Sequence, residues 1–298
     1  MRRNIIYIIN PISGVQTKSG LRQLIEKKSK ERNIPFQIVH SVASGDYSFL
    51  IPTIQEKQVT DIVIAGGDGT VNQVAGSFLH LPVNFGILPF GSGNGLAYSA
   101  KIPKDPSKAL DIVFDGKPSA IDGFFVNGKF ACMLCGLGFD AKVAHEFAEQ
   151  PKRGLKTYAA LVSRNFFSAA PYLFTVEANG LSFSTEAFFI SVANSNQFGN
   201  NFTIAPKALL ADGLLDIVIA KKSAKPLLLF NLIKQILAGK LKKIENSLDQ
   251  PIIYFQTTKL VIHNRNNAPM HIDGDPVNSY EKIEIEIAKE SFRLIQPA

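Results

Sequence analysis

The 298-residue chain has no tryptophan, three methionines and only two cysteines, Cys132 and Cys135. So few cysteines argue against a disulfide framework, and without a second Cys-x-x-Cys pair these two do not complete a zinc site. Both lie in the apolar stretch 130–137, which reads as a strand, so they are expected to be core residues. No uninterrupted apolar run approaches the roughly 20 residues that cross a bilayer. Met1-Arg2-Arg3 runs straight into a strand-like segment, with no apolar signal segment or cleavage site. The expectation is a cytoplasmic protein. Internal repeats and low-complexity stretches are missing too, and the five histidines, at 40, 80, 145, 263 and 271, show no ligand spacing and suggest no catalytic role.

One segment lacks acidic residues altogether. Positions 221–243 hold seven lysines and no Asp or Glu, while the remaining basic residues balance the 25 acidic ones, so the whole formal excess of +7 belongs to this segment. Leu229, Leu232, Ile233, Ile236 and Leu237 fall at helical spacing within it. The pattern predicts a basic amphipathic helix over 225–243. Such a helix either rests on an anionic membrane surface, each lysine contributing about 1 kcal/mol, or packs on its own domain with a solvated lysine face. Nucleic acid is not an expected partner, because the lysines are not interleaved with aromatics.

With 46% hydrophobic residues the chain has material for two cores. Before residue 120 strand-like and helix-like runs alternate: 4–10, 19–32, 36–41, 47–57 and 60–65. That alternation predicts parallel strands joined by helical crossovers. Beyond it strand-like runs dominate, at 124–126, 173–178, 187–194, 214–220 and 259–263, with helical stretches near 140–149 and 154–169. The expected organisation is an α/β domain over 1–121 and a β-rich sandwich domain over 122–281.

Three strand-like runs end in glycine-bearing turns: Asn10-Pro11-Ile12-Ser13-Gly14, Gly66-Gly67-Asp68-Gly69-Thr70 and Pro89-Phe90-Gly91-Ser92-Gly93-Asn94-Gly95. In an open parallel sheet such ends share one edge, where ligands bind outside the carboxyl ends of the strands. Glycines let a ligand approach bare backbone, and the amides of a following helix suit a phosphate. Asp68 would repel phosphate unless magnesium or ordered water lay between. Together these features suggest phosphoryl transfer. The plainer reading is a tight α/β turn in which Asp68 and Thr70 cap a helix.

The segments NPISG, GGDGTVNQV and LPFGSGNGLA, in this order and spacing, resemble the diacylglycerol kinase catalytic-domain superfamily, which includes sphingosine kinases and bacterial soluble lipid kinases. The likeness continues through Cys135-Gly136-Leu137-Gly138-Phe139-Asp140-Ala141, Ala205-Pro206-Lys207-Ala208, Asp212-Gly213-Leu214-Leu215-Asp216 and Ile272-Asp273-Gly274-Asp275, nearly the whole chain. It implies an NAD-kinase/phosphofructokinase-like topology in the first domain, with 282–298 returning to it. It implies ATP and Mg2+ as cofactors. Asn10, Ser41, Gly66, Gly67, Asp68, Gly69 and Thr70 would bind nucleotide, helped by Gly93 and Asn94, and Asp68 would organise a magnesium and water network. Asp275 stands where the family usually has Glu and would be the proton acceptor, one methylene shorter. Asp212, Leu214 and Asp216 resemble a structural cation site, which oxygen-only ligation suits to magnesium or calcium. Gly199-Asn200-Asn201 departs from the family's glycine-rich run. The expected substrate is diacylglycerol, with a sphingoid base second because Gly95 replaces the Asp of many diacylglycerol kinases. A soluble-substrate kinase of the NAD-kinase type and a nucleotide-binding regulatory module without turnover are the other readings, and the oligomeric state, a homodimer among the options, stays open.

Overall fold

The computed structural model describes the chain except residues 1–2, 13–19, 151–154, 167, 197–204, 206 and 224–249. The basic segment 225–243 and the 199–201 loop therefore lie outside the described residues. Two compact units form, Met1–Ile121 with Glu290–Ala298, and Asp122–Lys289.

In the first unit the strands β1 (Ile5–Ile9), β2 (Phe36–His40), β3 (Asp61–Gly66) and β4 (Asn84–Pro89) are parallel, in the order β2-β1-β3-β4. Every residue of β1 and β3 is buried, as expected for parallel strands covered on both faces, so these runs read as continuous Ile/Val stretches rather than alternating ones. The helices α1 (Leu21–Glu31), α2 (Ile51–Glu56), α3 (Asp68–Phe78), α4 (Gly95–Ser99) and α5 (Pro106–Asp115) supply the crossovers. At the amino ends of the strands the buried Asp61 accepts from Arg3 Nε at 2.9 Å, Thr60 Oγ1 at 2.6 Å and Asn84 Nδ2 at 3.1 Å. Arg3 spends its other nitrogens on the carbonyls of Val113 and Phe114. This network closes the edge opposite the glycine turns.

The second unit is β-rich. Its strands are the second half of β5 (Lys117–Val126), then β6 (Lys129–Ala131), β7 (Leu134–Gly138), β8 (Tyr172–Ala178), β9 (Leu181–Ala193), β10 (Leu215–Lys221), β11 (Ile252–Thr257), β12 (Lys259–His263), β13 (Met270–Ile272), β14 (Asp275–Val277) and the first part of β15 (Lys282–Gln296). The helices are α6 (Phe139–Ala148) and α7 (Leu155–Phe166). β9 organises it, pairing antiparallel with β7, β8 and β10. Phe124, Phe174, Ile190, Ile217, Leu260 and Ile283 belong to one buried core. Three hairpins turn on two left-handed residues each, Asn127-Gly128, Asn179-Gly180 and Asp273-Gly274, the pairing that two-residue hairpins of primed type require.

Two expectations are corrected. Residues 282–289 stay with the second unit, because Lys282 to Glu286 pair antiparallel with β12 and Ile283 and Ile285 are buried in its core; only 290–298 join the first, where Arg293 and Leu294 pair parallel with β4. The stretch 130–137 is not one strand. The Asp273 carboxylate takes the amides of Cys132, Met133 and Leu134 at 2.8–2.9 Å, and those donors are withdrawn from any ladder. Cys132 and Cys135 are both buried.

Candidate functional site

The three glycine turns follow the carboxyl ends of β1, β3 and β4 and are tied to one another. Asn10 Nδ2 donates to Thr70 Oγ1 at 2.9 Å, linking the first turn to the start of α3, and Asn10 Oδ1 accepts from the Ile12 amide at 3.1 Å. The second and third turns meet backbone to backbone, so that a Cβ on Gly67 would come within 3.0 Å of Gly91 Cα. A Cβ on Gly66 would press into the Thr70 side chain at 2.8 Å. Glycine at both positions is a packing requirement.

Asp68 is the first residue of α3, yet its carboxylate serves a different element. Oδ2 accepts the Gly95 amide at 3.0 Å and Oδ1 the Leu96 amide at 3.3 Å, at the start of α4. Asn94 is left-handed (φ 56°) and 2% exposed. Its Oδ1 accepts from the Gly91 amide at 2.7 Å while Nδ2 donates to the Gly91 carbonyl at 2.8 Å. The Asn94 side chain thus braces the turn from inside. Gly69 lies in the first turn of α3, and Gly93 is half-buried in the loop before α4. Ser41 follows β2, its amide donating to the Ile9 carbonyl at 2.9 Å.

In the second unit, Asp273 and Gly274 are the two turn residues of the β13–β14 hairpin, and Asp275, exposed, opens β14 opposite Ile272. Asp273 is 5% exposed and its carboxylate is the anchor described above. Asp275 is the carboxylate of the hairpin that faces solvent.

Asp212 and Asp216 flank the start of β10. Asp216 is fully buried; it accepts from the Tyr254 hydroxyl and, at 3.4 Å, from Gln256 Nε2. Burial pushes its carboxyl up to about 6, with Asp212 adding to the rise. Asp212 is raised in turn, by burial and by Asp122, and its Oδ1 accepts the Leu214 amide at 3.1 Å. Burial is the first cause of both rises and the neighbouring carboxylates add a smaller one; an oxygen-only donor set fits a hard cation. Among the described residues no cluster of three or more His, Cys, Asp and Glu side chains forms a metal site, so a cation here would need backbone carbonyl or water oxygens as well.

Sequence reasoning missed one pair. His271 in β13 is fully buried, and its Nε2 faces Asp140 Oδ2 of α6 at 3.6 Å. Burial raises the Asp140 carboxyl and the imidazole opposes that rise. Histidine spacing along the chain carries no sign of this contact, which joins residues 131 positions apart. Gly136 offered a faint signal, since a Cβ there would overlap both side chains.

Comparison with known proteins agrees with this arrangement. Residues 4–126 match the diacylglycerol kinase catalytic domain, and residues 134–294 match the YegS C-terminal NAD kinase beta sandwich-like domain. A relative named diacylglycerol kinase from Bacillus subtilis (strain 168) is 27% identical, covering 97% of each chain. A Yersinia pseudotuberculosis protein named "Probable lipid kinase YegS-like" is 26% identical over 87% of each. A crystal structure of a diacylglycerol kinase from Bacillus anthracis str. Sterne superposes with a TM-score of 0.73 at 19% identity, covering 99% of this chain and 97% of that one, a likeness of fold.

Proposed function

The chain belongs to the diacylglycerol kinase and YegS-like lipid kinase family, and from that premise we propose that it transfers the γ-phosphoryl group of ATP to a lipid hydroxyl, diacylglycerol first. The observation that carries this reading is the bracing of the glycine turns. Asp68 joins the turn after β3 to α4, and Asn10 joins the turn after β1 to Thr70. A phosphate cradle built this way is held before nucleotide arrives, which is where positioning catalysis gains most. Asn10, Ser41, Gly66, Gly67, Gly69, Thr70 and Gly93 line the turns that take nucleotide, and Asn94 shapes the loop. Asp68 would help hold a hydrated magnesium ion, which would supply charge neutralisation. Asp275 accepts the lipid hydroxyl proton, and Asp212, the Leu214 carbonyl and Asp216 hold a structural cation.

The enzyme works at the membrane surface, and the lysine-rich segment 225–243 supports that placement through its charge. Among the described residues no helix is long and apolar enough to cross a membrane; the attachment we propose is peripheral and rests on that charge. Purified protein given γ-labelled ATP, magnesium and a total lipid extract should label a chloroform-soluble product that migrates as phosphatidic acid. A phosphorylated sphingoid base would move the substrate assignment, and label only in water-soluble acceptors would overturn the lipid reading.

A further inference from the structure

Asp275 is the residue after a two-residue turn, so its reach depends on how firmly that turn is held. Aspartate has one methylene fewer than the family's glutamate with which to make good an error in backbone position. Two anchors hold the turn. Asp273 is bonded to three amides of the chain before and at the start of β7. The second anchor is His271, whose Nδ1 accepts the Gly274 amide at 3.2 Å. An imidazole that accepts at Nδ1 carries its proton at Nε2, and Nε2 points at Asp140 Oδ2. Asp140 is itself fixed, with Oδ1 accepting the Ala141 amide at 2.8 Å in the first turn of α6. His271 pairs with Gly136 across β13 and β7, and the absent Cβ of Gly136 is the space in which the pair meets.

We infer that Asp140 and His271 are positioning residues for phosphoryl transfer: Asp140 fixes the His271 tautomer, and His271 holds the Gly274 amide so that Asp275 is presented at the lipid hydroxyl. The inference rests on the reading of Asp275 as proton acceptor. A buried histidine kept only for packing would need no acceptor at Nδ1, and this difference is testable.

The asparagine carbonyl can take the place of Nδ1, whereas the glutamine carboxamide reaches toward the place of Nε2. His271→Asn should keep kcat within about threefold of wild type. His271→Gln should lower kcat by about tenfold or more with KM for ATP unchanged, a fraction of the general-base effect it perturbs. Hydrogen exchange at the Gly274 amide should quicken in His271→Gln and not in His271→Asn, while protection of Val192 in the core stays constant in both. Asp140→Leu should behave as His271→Gln does. Equal kcat for the Asn and Gln variants, or an exchange contrast without a kcat contrast, would overturn the inference. Asp275→Asn separates it from its premise. If that variant turns over normally, the proton-acceptor reading has failed, and the Gly274 exchange contrast still decides whether the pair holds the turn.

Discussion

Replacing Asp68 with alanine tests whether its carboxylate is a structural cap, a part of the phosphoryl-transfer machinery, or both. Two amide bonds are lost, at 3.0 Å to Gly95 and 3.3 Å to Leu96. A hydrogen bond to a charged group contributes about 1.5–3 kcal/mol when well formed, and the second is long while the side chain is half-exposed, so a total of about 2 kcal/mol is reasonable. For a chain of this size that corresponds to a fall in melting temperature of about 3 °C. Most of the protein is then still folded at 25 °C. If capping were the whole role, turnover at 25 °C would follow the folded fraction and stay close to wild type. The proposed magnesium network adds a loss that folding does not explain, on the order of 10²-fold or more, the scale of one preorganised electrostatic group. Thermal unfolding followed by circular dichroism, together with steady-state turnover of the same preparation, separates the two. A folded Asp68→Ala protein with near-normal kcat would remove Asp68 from the chemistry and leave it as the cap of α4.

Changing Lys234, Lys240, Lys242 and Lys243 to Gln should weaken sedimentation with anionic vesicles by up to about 10³-fold, from about 1 kcal/mol per lysine, and leave ATP binding intact; 0.5 M salt should act the same way on wild type, and wild type that fails to sediment at low salt would refute the membrane reading. Burial pushes the Cys135 thiol well above its ordinary range, with Asp140 and Asp273 adding to the rise. Its contribution to stability is therefore full below the unfolded thiol's pKa, near 8.5, and falls above it by up to about 1.4 kcal/mol per pH unit. Cys135→Ala should flatten that alkaline slope in denaturant titrations at pH 8–10, and an unchanged slope would refute the burial argument.

The parallel sheet was legible in the sequence because β1 and β3 are apolar runs that lead into glycine-bearing turns, the runs themselves set by burial on both faces. The second unit was less so. β11 reads as Ile-Ile-Tyr-Phe-Gln-Thr, a plain strand pattern, but it was not singled out. The hairpin turns Asn127-Gly128 and Asn179-Gly180 were available as dipeptides, and their left-handed backbones bear out what such dipeptides signal. Asp273 was read only as a neighbour of Asp275. That it draws three amides from residues about 140 positions earlier depends on the folded arrangement of β13 against β7, and no local pattern encodes it. The Asp140–His271 pair was hidden for the same reason.

The polar side chains around the glycine turns spend much of their hydrogen-bonding capacity on the protein itself. Asn94 closes on Gly91, Asn10 reaches Thr70, and Asp68 holds the start of α4. Side chains used in this way would act on the proposed nucleotide mainly through the backbone they shape, because amides at glycine positions approach phosphate closely and carry no rotamer entropy of their own. Recognition by backbone follows the phosphates rather than the base. The second unit uses the same economy at its hairpin, where Asp273 and His271 fix two adjacent backbone positions and only Asp275 is left facing outward. A carboxylate shortened by one methylene can serve there only if its backbone is held to a fraction of an ångström. The turn's two anchors, rather than the length of the side chain, would then set where the proposed proton acceptor lies.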